Sequence, residues 1–178
     1  MSRKDFQHLD DEALLDFYHS TRNIKAFRLL YGRYKDCLYR YCAQMNHTHA
    51  NPILEELWFS VLEHPPVLNG RVFRSWLFIK LDKMLRQHAA FDGEQHGEPA
   101  TREEAPGPLL GAIQKLSRRQ RNILLLHMEC QLPLATVADI ECLSLKACRE
   151  QYIAGKEQLR ELLYGPRRQP WRVEEVTA

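Results

Sequence analysis

Apolar side chains recur along this chain in steps of three and four, the spacing that lines one face of an α-helix. Almost nowhere do they alternate one by one as in a half-buried strand. Leu14, Leu15, Phe17 and Tyr18 form a short stripe behind Asp10 and Asp11, either of which is placed to cap a helix start. From Asn23 a longer stripe runs through Phe27, Leu30, Tyr31, Tyr34, Leu38, Tyr41 and Met45, with Arg28, Arg33, Lys35 and Arg40 mostly off it. Pro52 suits the first turn of a third helix, where the N–H it lacks would have no partner anyway. That helix carries Leu54, Leu57, Trp58, Val61 and Leu62 and stops before Pro65 and Pro66. Residues 64–71 hold these two prolines and Asn69-Gly70, all turn formers. A fourth helix takes Phe73, Trp76, Leu77, Leu81, Met84, Leu85 and His88 at helical spacing.

The periodicity stops over 89–108. Gly93, Gly97, Gly107, Pro99, Pro106 and Pro108 stand there with Glu94, Glu98, Glu103 and Glu104, which reads as a flexible acidic linker. Helical spacing then resumes. A short helix covers 109–116, and Ser117 is placed to cap one over 118–130. Pro133 introduces another over 134–140, and Glu141-Cys142-Leu143 makes a tight turn. Ser144 caps a last helix with Leu145, Cys148, Tyr152, Leu159 and Leu162 on one face. The expected architecture is all-α: two small helical domains, 1–90 and 109–164, joined by a linker over 91–108 and followed by a mobile tail over 165–178.

Composition narrows the possibilities. Hydrophobic residues at 44% support a packed core, which wholesale disorder would not. The net charge of +2 is too mild to establish nucleic-acid binding, so the placement of charge has to carry that question. No apolar run approaches the roughly 20 residues that span a bilayer. Met1 to Asp5 is followed by acidic residues and not by an apolar signal core, so a cytoplasmic location without membrane insertion is expected. Five cysteines, an odd number, suit reduced thiols. Cys37, Cys130, Cys142 and Cys148 fall on or near apolar faces as small core residues, although Cys142, in its turn, also reads as an exposed thiol. His47, His49 and Cys42 match no zinc spacing and read as a solvated loop. With no triad context and no glycine-rich phosphate loop, no catalytic residue, metal or cofactor is expected, and no enzymatic activity.

The strongest local signal is the pair of helices over 134–163. Two helices joined by about three turn residues make a helix-turn-helix, whose second helix enters the major groove. Its leading positions here are Lys146, Ala147, Arg149, Glu150 and Ile153, opposite the apolar stripe, with Lys156 further on. Arg149 suits guanine O6 and N7, and Lys146 suits bases or phosphates. Arg118, Arg119 and Arg121 would add phosphate contacts. An ordinary helical hairpin with solvated charges gives the same periodicity.

A wider likeness bears on that choice. From Leu109 onward, with Leu116, Arg121, Leu125, Val137-Ala138 and Leu159-Arg160 in place, the sequence resembles the promoter-reading domain of the extracytoplasmic-function sigma factors. Independently, residues 26–34 (AFRLLYGRY) and 73–78 (FRSWLF) resemble parts of that family's other domain. The likeness spans roughly residues 10–163. It implies a factor that binds core RNA polymerase and promoter DNA, and that an anti-sigma partner would hold inactive. It assigns polymerase binding to Glu55 and Glu56. It assigns the upstream bubble edge to Asn69, Arg71, Trp76, Lys80, Lys83 and Arg86, where unstacked bases need aromatic surfaces and displaced phosphates need cations. Taken singly, Trp58 and Trp76 lie on apolar stripes and read as core. The chain departs from the family at Pro52, Glu55, Lys83 and Gln87, and at Gly155, a helix-interior glycine costing roughly 1 kcal/mol relative to alanine. Those departures motivate an alternative: a sigma-like binding module that has lost promoter opening and regulates by occupying polymerase or an anti-sigma factor.

Overall fold

The structure, a computed structural model, describes residues 6–92 and 107–166, with side chains described to residue 89 in the first stretch. Most of the expected linker and tail lies outside the described residues. Every regular element among them is helical.

Helix α1 (Asp11–Thr21) starts where Asp10 accepts the Ala13 amide at 2.8 Å, and it ends at Arg22 in the left-handed region. Helix α2 (Ile24–Met45) follows directly, capped by Asn23, whose side chain accepts the Lys25 amide at 3.0 Å. Helix α3 (Ala50–Glu63) begins two residues ahead of Pro52, which therefore stands in its first turn. Asn69 and Gly70, with φ of 49° and 75°, turn the chain into α4 (Phe73–Asp92). Leu14, Leu30, Leu38, Ile53, Leu57, Phe73, Leu77 and Leu81 are fully buried where these four helices meet. Arg33 fastens the entry: it pairs with Asp11 at 2.6 Å and donates to the Leu9 carbonyl at 2.7 Å. Trp58 is buried, edge-on to Tyr31 and Phe27, as its stripe position implied.

The second half comprises α5 (Pro108–Lys115), α6 (Arg118–Leu124), a π-helical turn (Leu125–Glu129), α7 (Leu134–Glu141) and α8 (Leu145–Tyr164). Ser117 caps α6 through the Gln120 amide, and Ser144 caps α8 through the Ala147 amide. The sequence pattern predicts one regular helix over 118–130. The structure instead widens its last turn, and the Cys130 amide donates to the Leu125 carbonyl, five residues back, at 2.9 Å.

The two halves are in contact. Ile123, Leu125, Leu126, Cys130 and Leu132 belong to the same buried apolar cluster as Leu38, Tyr41, Leu77, Phe78 and Leu81. Polar bonds ring this junction. Gln114 donates to the Gln44 carbonyl at 3.0 Å, Arg40 pairs with Glu129 at 2.6 Å, and Arg74 donates to the Cys130 carbonyl.

Candidate nucleic-acid interface and the junction between the halves

The α7–α8 unit owes its geometry to local bonds. Helix α7 ends with Cys142 in the left-handed region, φ 53° and ψ 44°. The Leu143 amide reaches the Ala138 carbonyl at 2.9 Å and the Cys142 amide reaches Asp139 at 3.3 Å, the paired bonds of a Schellman ending. Ser144 then restarts the chain as α8. This helix buries Cys148 and Gly155 and turns Lys146, Arg149, Glu150, Ile153 and Lys156 outward, while Ala147 is half-buried. Ile153 is 65% exposed, which for a large apolar residue on a cationic face suits contact with base edges or a thymine methyl. Arg149 makes no ion pair with a described residue, and Lys156 lies 5.4 Å from the Tyr152 ring centroid. Cys142 is exposed.

Gly155 has a reason the sequence did not show. An added Cβ would stand 3.3 Å from both Gln120 Cβ and Leu124 Cδ1, so the glycine lets α8 cross α6 closely. It is a packing residue of the crossing rather than a weakened position.

The three arginines of α6 do different things. Arg118 faces solvent. Arg119 lies 3.5 Å from Glu141. Arg121 is half-buried and donates to the carbonyls of Gln114 at 3.0 Å, Leu116 at 3.3 Å and Gln44 at 3.4 Å. Burial, then the charge of Arg118, lowers the pKa of Arg121 from its ordinary value. In this arrangement Arg121 is held by backbone carbonyls, while Arg119 stays exposed beside Glu141.

Among the residues assigned to the bubble edge, Asn69, Arg71 and Lys83 are exposed and Lys80 is half-buried. Trp76 is also half-buried and stacks on Phe73 with ring centroids 6.0 Å apart. Arg86 turns to the junction, 2.6 Å from Asp82 and 3.2 Å from Glu141. Burial opposes its charge, but the Asp82 hydrogen bond and the two carboxylates prevail and raise its pKa. Glu55 and Glu56 are exposed on α3, and Glu56 lies 3.9 Å from His88.

Two features had not been singled out in the sequence. One is an aromatic groove beside Glu55, between α2 and α3, lined by Tyr31, Tyr39, Trp58 and Phe59. Phe59 is 63% exposed, and an aromatic residue one step off the stripe was its only sequence signal. The other is a buried polar cluster that joins both halves. Tyr41 donates to Asn122 Oδ1 at 2.6 Å, and Asn122 Nδ2 donates to Asp82 at 3.0 Å and also to Glu141. Asp82, Asn122 and Glu141 are all buried. Burial first, then the Asp82 charge, pushes the Tyr41 hydroxyl well above its ordinary pKa, so it stays a donor. The sequence signal was a polar residue on an apolar stripe: Asp82 among Phe78, Leu81 and Leu85, and Asn122 beside Ile123 and Leu126.

No protein-family profile and no curated protein sequence matches the chain. Solved structures do, and they define the class by shape: the chain has an all-helical fold of the sigma-factor kind. It is similar to the sigma factor RpoE from Bartonella quintana, in co-crystals with the anti-sigma factor NepR. The TM-score is 0.64 at 17% identity, covering 80% of this chain and 99% of RpoE. It is also similar to CnrH, in complex with the cytosolic domain of CnrY, with a TM-score of 0.61 at 19% identity, covering 86% and 96% of the two chains. Among the described residues, no helix is long and apolar enough to cross a membrane.

Proposed function

We propose that this chain is a sigma-like transcription factor of the extracytoplasmic-function type, which binds core RNA polymerase and directs initiation at specific promoters. The observation that carries the reading is the outward cationic face of α8, set behind a helix-turn-helix turn in a fold that spans nearly the whole length of a known sigma factor. Lys146, Arg149, Glu150, Ile153 and Lys156 are the base- and phosphate-reading set, with Ala147 at their edge and Arg118 as a further phosphate contact. The aromatic groove beside Glu55 and Glu56 supports polymerase docking on α3, because exposed aromatic rings beside charged side chains suit a protein partner.

In this reading residues 1–90 and 109–164 act as two units. The arrangement described is closed, and parting the units frees Arg86 from Glu141 and Arg121 from the Gln44 carbonyl. A partner of the anti-sigma kind, the kind RpoE is bound to in its complex with NepR, would act by favouring the closed form. The test is transcription from genomic templates by purified chain plus core polymerase. Initiation at a defined set of start sites is expected. Polymerase binding without any start site or sequence-specific footprint would favour the second reading, a module that occupies polymerase or an anti-sigma factor without opening promoters. The engagement of Arg86 and Arg119 with Glu141 is the observation on that side.

A further inference from the structure

At the edge of the junction two cysteines from opposite halves meet. Cys37 projects from the middle of α2, and Cys130 closes the π-helical turn, about 90 residues further along the chain. Cys37 Sγ lies 3.9 Å from the Glu129 carbonyl oxygen, in the peptide group that leads into Cys130, so the two thiols are neighbours across the junction. Cys37 is half-buried, within reach of small solutes, whereas Cys130 is fully buried. The pair is held from both sides: Arg40 of α2 grips the Glu129 side chain at 2.6 Å, and Arg74 of α4 donates to the Cys130 carbonyl.

We propose that Cys37 and Cys130 form a peroxide-reactive dithiol whose disulfide fastens the two halves together. The step balances with a hydroperoxide as the oxidant. The Cys37 thiolate attacks the peroxide O–O bond, becomes a sulfenic acid and releases hydroxide or alkoxide. The Cys130 sulfur then attacks the Cys37 sulfur, a new S–S bond forms, and the sulfenic hydroxyl leaves as water with the Cys130 proton. Two thiols lose two electrons and two protons, and the peroxide takes them.

The surroundings divide the labour between the sulfurs. The hydrogen bond from Cys130 is the largest influence lowering the Cys37 pKa, with Arg40 and Arg74 helping. Burial and the Glu129 carboxylate oppose them. The same hydrogen bond, then burial, pushes Cys130 up, so Cys130 keeps its proton while Cys37 reacts. A partly accessible thiolate with a second thiol beside it is the arrangement that traps a sulfenic acid as a disulfide before it oxidises further. A disulfide between them requires the two sulfurs to close to about 2.0 Å.

The bond itself does not depend on the proposed function. Its consequence does: it rests on the sigma-like reading, in which a fastened closed form stays off polymerase. The experiment therefore has two arms. Full-length chain carrying Cys142→Ser, which removes the exposed thiol, is treated with a small excess of hydrogen peroxide, alkylated and digested with trypsin. The expected product is a monomer in which the peptide Asp36–Arg40 is joined to Asn122–Lys146 through Cys130, two hydrogens lighter than the two free peptides. The urea midpoint should shift upward and return with dithiothreitol. The half-exposed Cys37→Ser variant, which keeps the fold, should give neither. Recovery of Cys37 unmodified, as a sulfinic acid, or linked between two molecules would overturn the dithiol. In the second arm, oxidised chain should lose core-polymerase binding at least tenfold and regain it on reduction. A disulfide that forms without changing an established polymerase affinity supports the dithiol and overturns the locking role. No polymerase binding in either redox state counts against the sigma-like reading and leaves the first arm standing.

Discussion

Cys142 shows how a single side chain can be set against its backbone. Its left-handed conformation ends α7, and glycine adopts that conformation without the Cβ clash, which costs roughly 1–2 kcal/mol. Glycine also loses more freedom on folding, by about 0.5–1 kcal/mol. Cys142→Gly should therefore raise stability by about 0.5 kcal/mol, read as a urea midpoint at constant slope. The other thiols differ by burial. Burial pushes Cys42 up to about 12 and raises Cys148 above its ordinary value, so both stay protonated thiols at pH 8. With a disulfide-exchange reagent at that pH, Cys37 and Cys142 should react in the folded chain, and Cys42 and Cys148 only after unfolding. On the outer face of α8, Arg149→Ala should cost about 1–3 kcal/mol and relax preference at one base pair. Lys156→Ala should weaken binding to all sequences and lower the salt slope by about one unit. Titrations on specific and scrambled duplexes across salt separate these two roles; equal effects of both variants would remove Arg149 from base reading.

Among the helices, the crossing of α8 over α6 fixes where the outward Lys146–Lys156 face, the proposed DNA-reading surface, points. Gly155 leaves no room for a larger side chain, because Gln120 Cβ is tied to the backbone of α6 and can yield only by moving that helix. Gly155→Leu should cost about 1–3 kcal/mol by overpacking and weaken specific DNA binding along with stability. Ser60→Ala on α3, whose hydroxyl bonds only within its own helix to the Leu57 carbonyl, is a control expected to leave both nearly unchanged. The sequence made Gly155 look like a defect because helix propensity is a local quantity, and the closeness of a neighbouring helix is not.

Across the molecule, the buried cluster of Tyr41, Asp82, Asn122 and Glu141 bears on how firmly the halves close. Glu141→Ala removes an acceptor from fully buried Asn122 and a partner from Arg86 and Arg119. Both arginine side chains are about half exposed, so water recovers much of their loss. The net cost should be about 1–3 kcal/mol, most of it from the unpaired buried amide. If closure competes with polymerase, a shift of about 2 kcal/mol favours the open form by roughly thirtyfold, and polymerase affinity should rise by up to that factor. Hydrogen exchange on α7 and polymerase titration together check this. Faster exchange with unchanged affinity would mean that closure does not gate binding.

The order of amino acids was enough for the all-helical class, for every helix near its observed place, for the helix starts at Asn23, Ser117 and Ser144, for a first cap at Asp10 or Asp11, and for an outward Lys146–Lys156 face. These follow from interactions within about four residues and from a periodicity that counts along one helix. Folding in three dimensions alone determined that the two halves share a core. It also set Arg86 and Arg119 against Glu141, tied Arg121 to backbone carbonyls, assembled Asp82, Asn122 and Glu141 from three helices, and brought Cys37 to the Glu129–Cys130 turn. Those are meetings of distant residues. A stripe on a helix says which face will be buried, but not which surface will cover it or what polar partner will be waiting there.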